Sequence, residues 1–365
     1  MVQNSPRDFD IAIVCGGITG VTLAVGLVRA NIPVTLYESA KALGEIGAGV
    51  ALAANAARAL ELLAPDAKYA FDRVGSDVND GSGDLITSVP TPAGSAYVHR
   101  AHFLDEMIKL VPEGVTKFNK RLDDIETLPD GNVKLKFLDG SEAVHSAVVG
   151  CDGIKSRTRK VILDENAPAS DAVFSGKYVY RGLIPMDKAA ALLGDEMARN
   201  SQMYFGYHGH MVTFPIQHGR VMNVVAFAIK DEWKDWNWVV STTKEELTKA
   251  FAGFSKHMRP TPHNGSGAAM AVEDVYVLSS LLADVNRACD LDAAFKAFEK
   301  VRLYRAQKVV TASYEAGQLY DFELPGCKDD VERIAENLQQ RMHWIWEEDL
   351  EQEVVETKAF YRAKV

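Results

Sequence analysis

An apolar run, Phe9–Cys15, opens into a glycine turn, Gly16–Gly20, which opens into a second apolar stretch, Val21–Ala30. A short continuous apolar run suits a strand buried on both faces. Val21–Ala30 reads as a helix, and Pro33–Glu38 as a second strand ending in an acid. Strand, turn, helix and strand in that order form one βαβ unit, which commits this part of the chain to a parallel sheet. Cys15-Gly16-Gly17-Ile18-Thr19-Gly20 fits the frame Gly-x-Gly-x-x-Gly, with Gly17 and Gly20 in the second and third slots. Such glycines allow a tight turn and let a pyrophosphate approach a helix N-terminus. Cys15 stands in the first slot, where a side chain is strained if φ is positive. Glu38 follows Gly20 by 18 residues, near the spacing of a ribose-binding acid. The plain alternative is a glycine turn in an unrelated α/β protein. The flanking strand and helix, with Glu38, argue against it.

At 365 residues the chain can bury a sizeable core and is long enough for two domains. It carries 40 basic and 50 acidic side chains, a net charge of −10. No basic tract appears, so no nucleic-acid partner is expected, because such a partner calls for a basic face. Cys15, Cys151, Cys289 and Cys327 are widely spaced, which predicts reduced thiols and a cytoplasmic setting. Met1–Asp10 is polar, without a signal-peptide core. Gly16, Gly17 and Gly20 interrupt Ile11–Val28, so no membrane span is expected. No Cys/His metal cluster appears either.

Further along, Leu43–Val50 is a glycine-punctuated loop, Asn55–Leu63 is helical, residues 75–95 are irregular or hairpin, and Arg100–Val111 is helical. The period then changes to two, with Val133, Leu135 and Phe137 alternating with lysines. Asp139-Gly140 marks a hairpin, followed by a strand up to Gly150. The apolar end of that strand enters Asp152-Gly153 and a polar turn with Ser156 and Arg157. Runs at Tyr178–Ile184, Gln202–Phe205, Met211–Ile216 and Val221–Ile229 predict a mostly antiparallel sheet in a separate lobe. Thr243–Phe254 reads as a helix, and the chain from Ala268 onward as mainly helical.

Taken in order, these segments resemble the single-component, FAD-dependent aromatic hydroxylases, in particular their salicylate hydroxylase-like branch. Val14–Gly20 looks like the dinucleotide loop, and Glu38 matches the acid that holds the adenosine ribose. Glu45-Ile46-Gly47-Ala48-Gly49-Val50 is similar to the segment beside the flavin, His99-Arg100-Ala101 to the helix entry whose arginine reaches FAD, and Cys151-Asp152-Gly153 to the Asp-Gly motif. Tyr180-Arg181-Gly182-Leu183, Gly209–Pro215 and Val301-Arg302 extend the match. Pro262–Ala268 with Val272-Glu273-Asp274 is similar to the flavin-facing loop and helix. There, backbone N–H groups at a helix start stabilise the negative charge of reduced flavin.

The resemblance implies an α/β fold. It would comprise an FAD-binding Rossmann-like domain of the GR2 type, a second, mostly antiparallel β-sheet substrate domain and a helical C-terminus. The expected boundaries are residues 1–74, 96–173 and 257–320 for the FAD domain, 75–95 and 174–256 for the substrate domain, and 321–365 for the C-terminal segment. The implied cofactor is FAD, with NADPH or NADH as co-substrate. A small aromatic and O2 would be the other reactants, and the protein a monomer or homodimer. Gly17, Gly20, Glu38, Gly49, Ala51, Arg100, Asp152, Gly153, Gly265, Gly267 and Ala268 are the implied cofactor-binding residues. In such a cycle NAD(P)H reduces FAD, O2 adds to give a C4a-hydroperoxide, and its distal oxygen passes to an electron-rich ring.

Arg181 is the leading substrate residue, able to hold a carboxylate or phenolate by charge-assisted hydrogen bonds. Its plain alternative is a surface or ion-paired arginine. His210 and His263 are candidates to bind or deprotonate a phenol, against the alternative of structural histidines. Trp233, Trp236 and Trp238 read as lobe packing, and Met203 and Met211 as core. One departure from the family stands out. Phe254-Ser255-Lys256 runs almost directly into His257, without the apolar strand and Gly-Asp-Ala-Ala-His that precede the flavin loop in the family. Leu193-Gly194-Asp195 is not a substitute, because it lies in the substrate lobe. Three readings follow: a working hydroxylase, a shortened and weakly active or inactive relative, and a same-fold flavin oxidoreductase or epoxidase.

Overall fold

The structure, a computed structural model, describes residues 7–43, 49–77, 86–87, 92–235, 237, 239–251 and 266–365. Along the chain run β1 (Ile11–Val14), α1 (Ile18–Arg29), β2 (Val34–Tyr37), β3 (Gly49–Leu52), α2 (Ala54–Leu63), α3 (Pro65–Val74), β4 (Gly75–Asp77), β5 (Ala96–His99), α4 (Arg100–Met107), β6 (Thr116–Lys117), β7 (Leu122–Thr127), β8 (Val133–Phe137), β9 (Glu142–His145) and β10 (Ala147–Gly150). There follow α5 (Arg157–Leu163), β11 (Lys177–Pro185), α6 (Met186–Leu193), α7 (Asp195–Arg199), β12 (Gln202–Gly206), β13 (Gly209–Ile216), β14 (Val221–Ile229), α8 (Lys244–Ala250), α9 (Ser266–Leu282), α10 (Leu291–Tyr320), α11 (Val331–Gln340), α12 (His343–Trp346) and α13 (Leu350–Arg362).

The predicted βαβ unit forms β1, α1 and β2, inside a sheet of order β10-β1-β2-β6 whose pairings are all parallel. β1 is buried along its whole length, as a continuous apolar run between two covered faces should be. Helix α1 packs on this sheet, and α9 packs in turn on α1, α2, α10 and α13. Gly26 makes the approach of α1 possible, since a Cβ there would come within 2.8 Å of Leu63 and 2.9 Å of Ser279. Among the described residues β10 pairs only with β1, so its outer side carries no strand.

The second lobe is an antiparallel sheet of order β11-β14-β13-β12. Directly paired residues in such a ladder share a face. One face therefore carries Arg181, Val225 and Val212 in one row, and Leu183, Asn223 and Phe214 in the next. α6 and α7 contact this sheet, where Met222 and the half-buried Val224, which lie on its opposite face, join Met186 and Ala198 in a small core. Two smaller sheets, β3-β5-β4 and β7-β8-β9, complete the strands.

Some expectations change in detail. The single strand foreseen up to Gly150 breaks at Ser146 into β9 and β10, which belong to different sheets. Helix α3 was not foreseen; Pro65 opens it at a position where a missing N–H is harmless. The helix foreseen over Arg100–Val111 is α4 followed by a 3₁₀ turn, Ile108–Leu110. Helix α8 starts on a capping box in which Thr243 and Glu246 satisfy each other's backbone N–H. Leu193-Gly194-Asp195 is the turn between α6 and α7. Met203 is buried and Met211 half-buried. Trp233 lies 6.2 Å from the rings of Phe174 and Tyr178, while Trp236 and Trp238 fall outside the described residues. Among the described residues no helix is long and apolar enough to cross a membrane, and no His/Cys/Asp/Glu cluster could hold a metal ion.

Candidate active site

The dinucleotide turn is built by one left-handed residue and two close approaches. Cys15 takes a φ of 83°, the left-handed conformation that glycine adopts without strain. Its carbonyl oxygen lies where a Cβ on Gly20 would sit, so only glycine fits there. The Gly16 N–H donates to Glu38 Oε2 at 2.7 Å, while Glu38 Oε1 accepts from the Ala40 N–H at 2.7 Å and the Ser39 hydroxyl at 3.0 Å. Glu38 thus braces the turn, and its carboxylate retains lone pairs for a hydroxyl.

Gly17 is the N-cap of α1 and provides no side-chain cap, so the helix start presents its N–H groups outward. The Arg100 guanidinium comes within 3.5 Å of the position of a Gly17 Cβ. A helix N-terminus and a guanidinium thus converge on one glycine, an arrangement that fits a diphosphate. The residues present therefore fit FAD. Gly267 and Ala268 lie in the first turn of α9, where no atom would meet a Cβ on Gly267 and Ala268 packs on the core. His263 and Gly265, with the loop Pro262–Gly265 and the segment Glu45–Ala48, lie outside the described residues.

Asp152 is occupied within its own turn. Its carboxylate accepts from the Ser156 hydroxyl at 2.6 Å, the Thr158 N–H at 3.0 Å and the Thr158 hydroxyl at 3.2 Å. Gly153 follows with a φ of 70° and open space around its Cα. The motif therefore shapes the exit from β10 into α5. Beside it, burial pushes the Cys151 thiol up to about 12.

Gly49 and Ala51 lie on β3, against the substrate sheet. A Cβ on Gly49 would come within 2.6 Å of the Phe214 ring and 3.0 Å of Ile216, so glycine allows strand and sheet to touch. The Phe214 ring stacks on Tyr97 at 4.4 Å. Arg181 projects from the same sheet face, between Val179 and Leu183, which remain 39% and 48% exposed. Apolar side chains left open around a cation make the floor of a site for an amphiphilic anion. Arg181 is exposed and, among the described residues, makes no ion pair; partial desolvation by its neighbours together with the nearby Arg100 charge lowers its pKa. Arg100 therefore reaches both the dinucleotide turn and the substrate face.

His210 has a different setting. It is buried, stacks on Phe227 at 4.3 Å and bonds through Nδ1 to Asp321 at 2.7 Å. Lys177 also bonds to Asp321, and donates to the Gly317 carbonyl at 2.9 Å. Burial lowers the His210 pKa, with Asp321 opposing and Lys177 assisting. This arrangement ties the C-terminal end of α10 to the substrate sheet and favours an anchoring role.

Two further groups brace this region: Asn223, which escaped the sequence reading, and Glu273, which entered it only as part of the α9 motif. Asn223 accepts from the Gly49 N–H at 3.3 Å. Glu273, fully buried on α9, accepts from Asn55 at 2.6 Å, Arg302 at 2.8 Å and Arg305 at 2.8 and 2.9 Å. Arg302 also bonds to Asp274 at 2.7 Å and to Glu353 of α13. Burial pulls the Arg302 pKa down, but the three carboxylates outweigh it and carry the pKa up. The cluster locks α9 to α2, α10 and α13. Two arginines three residues apart on one helix, with an acid pair on another, were the available signal.

The dinucleotide turn, Arg100 and a separate substrate sheet define a nucleotide-dependent oxidoreductase of two lobes. No family model matches the chain. It is 33% identical over 436 residues to the FAD-dependent monooxygenase orf3 of Aspergillus niger, covering 99% of this chain and 98% of that protein. It is 36% identical over 403 residues to 6-methylsalicylate 1-monooxygenase atA of Aspergillus terreus, covering 94% of this chain and 90% of that protein. Its structure matches that of a salicylate hydroxylase substrate complex with a TM-score of 0.81 at 27% identity, covering 97% of this chain and 98% of that one. The chain belongs to the FAD-dependent monooxygenases of the salicylate hydroxylase type, and FAD is its cofactor. The first comparison spans 436 positions although this chain has 365 residues, so the relative carries stretches with no counterpart here.

Proposed function

We propose that the protein hydroxylates a small phenolic aromatic, salicylate-like or polyketide-derived, using FAD, NADPH or NADH, and O2. The observation that carries this is Arg181 on an open apolar strip of the substrate sheet, within reach of the Arg100 charge. Bound FAD, reduced by NAD(P)H, supplies the activation of O2. In this reading the α1 start and Arg100 hold the diphosphate, and Glu38 the ribose. Arg181 binds the carboxylate or phenolate by charge-assisted hydrogen bonds and keeps the ring electron-rich by favouring its anion. Val179, Leu183 and Val225 exclude water from the ring. The names of the relatives, 6-methylsalicylate 1-monooxygenase and salicylate hydroxylase, indicate the first substrates to try. We place the protein in the cytoplasm as a monomer or homodimer.

The test is to load purified protein with FAD and follow NADPH and NADH oxidation with 6-methylsalicylate and with salicylate. A product one oxygen heavier supports the reading. An oxidised but unoxygenated product supports a same-fold oxidoreductase instead. The open side of β10 and the stretches absent relative to orf3 favour a second reading, a shortened and weakly active relative. Absence of FAD binding, seen as no flavin absorbance after gel filtration, would select it.

A further inference from the structure

Asn223 is 1% exposed in the middle of β14, a strand otherwise apolar from Val221 to Ile229. It shares a row with Leu183 and Phe214, and Arg181 stands in the next row. Such diagonal neighbours lie about 7–8 Å apart. Strand β3 is an edge of its sheet, so one side of it finds no ladder partner among the described strands. Asn223 Oδ1 supplies one, accepting from the Gly49 N–H at 3.3 Å. An N–H can donate only to the oxygen, so this contact fixes which way the amide faces. The Asn223 Nδ2 is buried without a partner among the described residues, which is hard to reconcile with simple packing, where leucine or valine would do. Gly49 itself belongs to the Glu45–Val50 segment that resembles the flavin-side segment.

We propose that Asn223 is a positioning residue for oxygen transfer. Its amide clamps β3 to the sheet that carries Arg181, and so sets the separation between the bound aromatic and the flavin. The proposal rests on the hydroxylase function proposed above. Productive turnover converts ArH, O2, NAD(P)H and H⁺ to ArOH, NAD(P)⁺ and H2O. When the ring is misplaced, the same NAD(P)H, O2 and H⁺ give NAD(P)⁺ and H2O2, and ArH is unchanged.

The test compares Asn223→Leu and Asn223→Ala, which lack the acceptor, with Asn223→Asp, which keeps an oxygen at the same place. In Leu and Ala the aromatic-stimulated NAD(P)H oxidation should persist. Product per NAD(P)H should fall about tenfold or more, with hydrogen peroxide making up the difference. The Asp variant should recover most of the product yield. Hydrogen exchange at the Gly49 amide, measured with FAD bound and no substrate, should be slow in the native protein and Asp, and fast in Leu and Ala. Native-like yield in Leu or Ala overturns the proposal, as does an Asp variant as uncoupled as Leu. If native protein oxidises no NAD(P)H with any aromatic, the functional reading fails, and the exchange measurement alone decides whether the clamp exists. If Leu does not fold, Ala and Asp decide.

Discussion

The carbonyl oxygen of Cys15 fills the space that a side chain on Gly20 would need. The two residues are one device: the first turns the chain through a left-handed conformation, and the third glycine of the frame admits the result. Cysteine at the first place bears the strain of a φ of 83°.

Cys15→Gly should therefore stabilise the protein. Relief of left-handed strain gives about 1 kcal/mol, or about 2 °C in thermal midpoint for a chain of this size. Scanning calorimetry of the FAD-bound form checks it, and a lower midpoint would show that the cysteine side chain contributes more than its backbone strain removes.

Arg181→Ala should raise KM for a carboxylated phenol about 10- to 100-fold, as expected for a lost hydrogen bond to a charge. FAD affinity should stay within error. Steady-state kinetics and flavin titration separate the two, and a parallel loss of FAD would move Arg181 to the cofactor side.

His210 gives a pH signature. Burial lowers its folded pKa, whereas the unfolded value is about 6.5. Below that value the unfolded chain takes up a proton that the folded ring resists. This part of the stability is thus complete above about pH 6.5 and is lost as pH falls through the folded pKa. His210→Asn, which keeps a donor toward Asp321, should flatten the acid side. Urea midpoints at about pH 7.5 and about pH 5.5 should differ less in the variant than in the native protein.

Glu273→Gln should be severe. It leaves Arg302 and Arg305 buried with an acid removed from between them. Breaking a buried ion pair from one side costs about 3–5 kcal/mol. Denaturant unfolding should show a large drop in midpoint, and a shift no larger than that of an exposed Glu→Gln change would refute it.

What the sequence revealed was what the local backbone determines. The βαβ unit was legible because its glycines, its apolar strand and Glu38 all lie within 30 residues, Phe9 to Glu38. Arg181 was legible because it interrupts a strand. His210 stood out only as a histidine; the partner that fixes its role, Asp321, lies 111 positions away. Asn223 was hidden among valines, and its importance comes from Gly49, 174 positions earlier. The β9–β10 break was missed because both strands read as one strand up to Gly150, and only their separate pairings divide them.

The bond between Arg302 and Glu353 also bears on the order in which the protein is made. Helix α9 is held by an arginine cluster whose acids come partly from α13, at Glu353. During synthesis, α9 leaves the ribosome long before α13 does. Until then Arg302, buried in the finished protein, lacks one of its carboxylates. Domains made from the N-terminus generally settle as units, but the packing of α9 is complete only once residue 353 has been made.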